Sequence, residues 1–414
     1  MTAPETRAVI AALTARGAEV RFVGGCVRDA AIGRPVTDID IATHDLPETV
    51  IALLEAAHLK VVPTGIKHGT VTAVVKGHPF EITTLRRDVE TFGRHARVEF
   101  TDDWAADAAR RDFTMNAMFL GVDGRLHDPF GGLADLEAGR VRFVGDARQR
   151  IKEDVLRLLR FFRFHARYGR GAPDPDGLAA CRELAPLLPT LSAERVRDET
   201  LKLLGAAAPA DVLRLMAREG ILAHYLPEAR SFDRLASLTA LPPEQSAPDR
   251  LRRLAGVLDV DGAGARAIGT RLRLSNVEIK RLGAVFEHLP GFALPSDGPA
   301  QRRLLYALGA GLFGDLVLLA WAGARVGTSA DDAAFARALD DAASWQRPSL
   351  PVKGPDVIAA GVKRGPRVGQ LLKRVEDWWI EGDFRATRAE ALAHLRALAG
   401  DKPAKKPSRR KKPK

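Results

Sequence analysis

The chain has 414 residues, 46% of them hydrophobic and 28% charged, which excludes a wholly disordered polymer and leaves room for two to four domains with a large core. Of its formal charge of +11, eight positive charges lie in KPAKKPSRRKKPK (402–414), so the rest carries only +3 and the tail is a separate electrostatic module. Two cysteines, Cys26 and Cys181, with no C-x-x-C pair exclude a disulfide framework and a zinc site and point to a reducing cytoplasm.

The opening MTAPETRAVI lacks the basic and apolar pattern of a secretory leader. Residues 1–145 then mix helical segments with short β-branched runs, EVRFVGG, DIDIAT, HLKVVPTG, TVTAVV and FEITTL. From 146 onward the strand signals fade and Ala/Leu/Arg segments at helical spacing take over. The expected fold is therefore α+β, a mixed α/β head with a small sheet followed by an all-helical remainder. Proline-containing breaks near 171–175, 226–248 and 347–355 divide that remainder into a neck (146–205), a body (206–345) and a tail piece (346–400). The most apolar stretch, 304–326, is interrupted by Asp315 and glycines and reads as two packed core helices rather than a membrane span. Residues 401–414 are Lys/Arg/Pro-rich and expected to be disordered.

In VTDIDIAT (36–43), alternation places Asp38 and Asp40 on one face of a strand. Upstream, FVGGCVRD (22–29) reads as strand, glycine turn and helix start; Gly25 allows a close approach, and Arg28 with the helix N-terminus favours a phosphate. A glycine cradle for a triphosphate and a carboxylate pair for Mg²⁺ are the two parts that metal-assisted nucleotidyl transfer needs. Glu81, in FEITTLRRD, is a candidate third metal carboxylate; a surface glutamate at a strand start is the plain alternative.

In ARRDFTMNAM (109–118), Arg110 and Arg111 match phosphate geometry, while Asp112 and Asn116, on one face if helical, suit the hydroxyls of a ribose. EDVLRLLRFFRF (153–164) reads as one helix with Val155, Leu158, Leu159 and Phe162 as its buried stripe. On that wheel Asp154 and Arg157 stand about 60° apart, an acceptor beside a donor, which fits the amino group and ring nitrogen of cytosine or adenine and opposes uracil and guanine. Arg160 and Arg163 wind progressively away. No Walker-type phosphate loop occurs, and the dipeptides His44-Asp45 and His127-Asp128 lack further histidines at ligand spacing.

Taken in order, GGCVRD with DID, RRDFTMNAM, HDPFGGLADLEAGRVR (127–142), EDVLRLLRFFRF and ERVRDETLKLL (194–204) resemble the class II tRNA nucleotidyltransferase family, the CCA-adding enzymes and bacterial poly(A) polymerases. The resemblance is tight over 20–205 and looser beyond. It implies that Asp38 and Asp40 bind the catalytic metals, that Gly25, Arg28 and Arg111 hold the nucleotide, and that Asp154 and Arg157 serve as a protein template for the base. Arg160 and Arg163 are implied as further nucleotide contacts. DPFGG and the 194–204 motif look structural in the family, so Asp128 and Glu194 are given no chemistry.

The G-[RK]-[RK]-F run usual in the poly(A) polymerases is absent from TGIKHGTVTAVV (64–75), which favours CCA addition from CTP and ATP. RRDVETFGRHARVEF (86–100) supplies the flexible segment that CC-only enzymes lack, although Phe92 stands where many members carry an acidic residue before the glycine. Few aromatics suit recognition of a tRNA by shape and backbone, with VKRGPRVGQLLKR and the basic tail as expected phosphate contacts. The expected partners are the tRNA 3′ end and the two nucleotides, with no membrane and no stable protein partner. The first rival is an A-only or poly(A)-adding enzyme of the same family; a catalytically silent RNA-binding protein is the rival from another class, and the intact D-x-D speaks against it.

Overall fold

The computed structural model describes the chain through Gly400 except Thr64, Gly93, Arg94, Ser246, Thr328 and Ser329, and for Lys67 and residues 88–97 the backbone alone. The basic tail at 401–414, and Phe92 and Gly93 as side chain and turn, thus lie outside the described residues. The chain divides into two units, 1–240 with 248–282 and 241–247 with 283–414.

The first unit begins α1 (Pro4–Thr14), β1 (Val20–Val23), α2 (Gly25–Ala31), β2 (Ile39–Thr43), α3 (Pro47–Ala56), β3 (Lys60–Val62), β4 (Thr70–Val75) and β5 (His78–Thr84). A hairpin of β6 (Arg86–Phe92) and β7 (His95–Phe100) follows, then α4 (Trp104–Ala109), β8 (Phe119–Gly121), β9 (Leu126–His127) and α5 (Gly132–Ala138). β1 to β5 with β8 and β9 form one sheet in the order β3-β4-β5-β2-β1-β8-β9. Its neighbours are antiparallel except β2 and β5, which run parallel with Asp40 opposite Glu81. Val20, Phe22, Ile41, Val71, Phe80 and Ile82 of these strands are buried. The segment 86–100, expected as a flexible insertion, is paired as the β6/β7 hairpin.

From Ala147 the unit is helical: α6 (Ala147–Glu153), α7 (Leu156–Tyr168), α8 (Pro175–Leu184), α9 (Ala193–Leu204), α10 (Pro209–Arg218), α11 (Phe232–Thr239), α12 (Arg250–Val257), α13 (Gly262–Arg271) and the start of α14 (Asn276–His288). Helix α7 packs on α9. It is tied to the sheet side by aromatic contacts, with the Phe113 ring 4.9 Å from both Phe143 and Phe164. Asp128 caps α5 by accepting from the N–H groups of Gly132 and Leu133, and a Cβ at Gly132 would stand 2.2 Å from the Thr114 carbonyl oxygen. DPFGG is therefore a packing element.

The second unit holds α15 (Gly298–Leu308), α16 (Ala310–Val326), α17 (Asp332–Ser344), α18 (Gly354–Ala359), α19 (Pro366–Glu381) and α20 (Arg388–Gly400). The apolar stretch 304–326 is the pair α15 and α16, bent by 120°, with Phe313, Leu316, Leu319 and Trp321 buried. No single helix among the described residues is long and apolar enough to cross a membrane.

Candidate active site

At the end of β1 the chain turns through Gly24, whose φ of +73° is rarely adopted by residues with a side chain. A Cβ there would lie 3.3 Å from the Arg111 guanidinium. Glycine thus keeps the start of α2 open beside a cluster of cations. Next to that turn, β2 carries Asp40. Burial, then the neighbouring Glu81, and more weakly Asp38, push its carboxyl up to about 6 against the pull of Arg111. Asp38 differs from expectation: it sits exposed in a bend before β2, so the two aspartates do not share a strand.

Near it stands a group of cations with fixed positions. Buried Asp107 on α4 holds Arg110 at 2.7 Å and Arg111 at 2.8 Å. Burial alone would raise its carboxyl; Arg111 and then Arg110 outweigh that and hold it low.

Residues 114–116 form a 3₁₀ turn rather than the α-helix the Asp112/Asn116 spacing suggests. The turn still brings the pair together, with Asn116 Nδ2 donating to Asp112 Oδ1 at 2.9 Å. Oδ1 also accepts from the Phe113 N–H, and Oδ2 accepts from Arg160 Nε and Nη2 at 2.8 and 2.5 Å. Burial pushes Asp112 up, but Arg160 and these donors prevail and hold it at about 2. With two donors on each oxygen, the carboxylate has no lone pair left for a ribose hydroxyl. Asn116 Oδ1 in turn accepts from Arg28, which is paired with Asp29 and lies 4.4 Å over the Tyr168 ring.

The expected continuous helix over 153–164 is interrupted. Helix α6 ends at Glu153, Asp154 is extended (φ −150°, ψ 104°), and α7 starts at Leu156. Asp154 caps the new helix through the Leu156 N–H, and Arg195 on α9 holds its other oxygen at 2.7 Å. Arg157 donates to Glu153 at 2.7 Å and to the carbonyls of Arg150 and Arg110. The 60° wheel argument therefore fails for Asp154, and Val155 is half-buried rather than part of the core stripe.

These side chains surround a cavity of about 440 Å³. Gly25, Arg28, Asp40, Arg110, Arg111, Asp112, Asn116, Asp154, Arg157 and Arg160 line it, together with Gly24, Leu156, Phe164 and Arg195. Asp38 and Glu81 are not among the lining residues. Arg163 is turned away to an ion pair with buried Glu199 and faces another cavity. Arg195 went unrecognised because the motif that carries it reads as structural; only the fold brings it to Asp154.

No three His, Cys, Asp or Glu side chains among the described residues form a ready-made metal cage. Asp40 nonetheless fits a hard divalent ion: it is an oxygen donor whose ionisation is resisted by burial and by two nearby carboxylates, so a cation has charge to neutralise there. A small divalent ion beside a nucleotide usually takes one or two protein carboxylates and would complete its shell with water and substrate phosphate oxygens.

A family model described as the poly A polymerase head domain matches residues 20–142, and one described as the probable RNA and SrmB-binding site of polymerase A matches 172–232. The chain is 35% identical to CCA tRNA nucleotidyltransferase 1, mitochondrial, of Danio rerio over 91% of this chain and 87% of that protein. It is 33% identical to the CCA-adding enzyme of Geobacillus stearothermophilus over 94% and 96%. The crystal structure of the Bacillus stearothermophilus CCA-adding enzyme in complex with CTP matches with a TM-score of 0.77 at 31% identity, covering 95% of this chain and 96% of that one. Fold and matches define a nucleotidyltransferase with an α+β architecture. The chain belongs to the class II tRNA nucleotidyltransferase family, which includes the CCA-adding enzymes, and the family implies a divalent metal.

Proposed function

We propose that the protein adds C, C and A in turn to the 3′ end of tRNA from CTP and ATP, releasing pyrophosphate at each step, with Mg²⁺ held at Asp38 and Asp40 and supported by Glu81. The observation that carries this reading is one cavity joining a glycine turn, paired arginines, a carboxylate edge and an acceptor–donor set at Asp154 and Arg157. The turn at Gly24 and Gly25, with Arg28, Arg110 and Arg111, holds the triphosphate. Asp154 accepts from the exocyclic amino group of cytosine or adenine and Arg157 donates to the ring acceptor; uracil and guanine set like against like. Arg195 keeps the Asp154 carboxylate facing the cavity. Asp112 acts through Arg160, which it orients, and the free Nδ2 hydrogen of Asn116 serves the ribose. Mg²⁺, when bound, lowers the pKa of the attacking hydroxyl and neutralises charge on the departing pyrophosphate. The two free buried cysteines suit a reducing compartment, and we assign the protein to the cytoplasm.

The test is incorporation on tRNA transcripts ending in the discriminator base, in C and in CC, with single nucleotides and mixtures. Three additions to the first transcript, two to the second and one to the third are expected. A long A ladder, or addition to the CC end alone, would overturn the assignment.

A further inference from the structure

The nucleotide cavity is one of a row. Asp40, Gly25 and Arg28 also line a smaller cavity of about 250 Å³ that includes Asp38 and Arg167. Arg167 then lines a third, of about 500 Å³, whose charged members are Arg34, Arg163, Arg167, Lys202 and Arg250, with no acidic residue in its wall. Arg163 and Lys202 share Glu199. Arg34, Arg167 and Arg250 are exposed and make no ion pair among the described residues; the first two are placed over the Tyr168 ring, 4.8 and 5.5 Å from its centroid.

Nucleotidyl transfer brings two substrates to one pair of carboxylates, and the first cavity takes the nucleotide. The second substrate must reach Asp38 and Asp40 from their other side, which is where the row leads. These three guanidinium groups lack a salt-bridged carboxylate, although Arg34 donates to the Arg167 carbonyl at 3.1 Å and Arg167 lies within electrostatic reach of Asp29; like charges around one void favour an anion between them, and guanidinium is the side chain best matched to a phosphodiester. We propose that this third cavity binds backbone phosphates of the RNA strand whose 3′ end is extended, just upstream of the reacting hydroxyl. The proposal rests on the reading of the protein as a tRNA-extending enzyme.

Fluorescence anisotropy of labelled tRNA, which needs no turnover, tests it on the full chain. Arg167→Ala/Arg250→Ala should raise the Kd for tRNA about tenfold and flatten the slope of log Kd against log salt by about 1.5, as expected for two lost phosphate contacts. The KM for CTP and the Tm should not change, and Arg34→Ala should act in the same direction. Replacing the phosphates of the last few nucleotides by uncharged methylphosphonates should weaken binding to the wild type and leave the double variant nearly unaffected. An unchanged Kd and slope in the double variant overturns the proposal, as does a rise in the KM for CTP, which would make the cavity a triphosphate site. Loss of CCA addition by the wild type would instead refute the reading beneath it.

Discussion

Two aspartates that line one cavity live under opposite rules. Asp112 spends every lone pair on Arg160, Asn116 and the Phe113 N–H and is held at about 2. Asp40 is partly buried beside Glu81 and Asp38, and is pushed up to about 6. The first is scaffold: its charge is neutralised within the fold, and it fixes the position of a cation on α7. The second is left with charge the fold does not satisfy, a cost that proteins tolerate where a ligand is to supply the missing partner. For these two carboxylates, satisfaction rather than presence in the cavity separates the one that acts on substrate from the one that positions another residue.

That contrast can be broken by substitution. Asp40→Asn should lower kcat by several orders of magnitude while tRNA affinity, read by anisotropy, changes little; retention of a tenth of the activity would remove Asp40 from the metal site. Asp112→Ala should behave as a folding defect, because it removes the carboxylate that binds Arg160 and leaves, among the described residues, only Glu199 at 3.9 Å; denaturant unfolding should show a loss of about 3 kcal/mol. The sign follows from a lowered pKa: Asp112 stabilises the protein above its unfolded value near 4, and this is lost only as pH falls toward 2.

Asp154→Ala should narrow the preference for CTP and ATP over UTP and GTP by about tenfold to a hundredfold in kcat/KM. An equal fall for all four nucleotides would make Asp154 a structural residue. Arg195→Ala should give a weaker loss of the same kind, partly rescued by Arg195→Lys, because it acts on the base through Asp154.

The smallest effect is also the one that separates the two aspartates most cleanly. Because the folded pKa of Asp40 is raised, its contribution favours the metal-free fold at low pH and is lost as pH rises through about 6. Asp40→Asn should therefore stabilise the metal-free protein at pH 7.5 by about 1–3 kcal/mol, a shift readable in Tm. Asp112→Asn should do the reverse.

The head and the helical remainder were legible in the sequence, since strand alternation and helical spacing are local signals. The pairing of Asp40 with Glu81 was half legible: both sat in strand-like runs, but their parallel register belongs to the sheet. Spacing united Asp112 with Asn116 and named the wrong conformation, because a 3₁₀ turn also brings such residues into contact. The helix through Asp154 was misread because no proline or glycine marks the break. A carboxylate that caps Leu156 and is gripped by an arginine 41 residues later ends α6 instead. Arg195 and the satisfaction of Asp112 were invisible for the same reason: both are tertiary facts.

The most direct test of the unsatisfied carboxylate edge is thermal unfolding at pH 7.5 with and without Mg²⁺, for the wild type and Asp40→Asn. A ligand that binds only the folded state raises its Tm. The account predicts that Mg²⁺ raises the Tm of the wild type and leaves that of Asp40→Asn, already higher without metal, unchanged. An equal Mg²⁺-dependent rise in both proteins would contradict it.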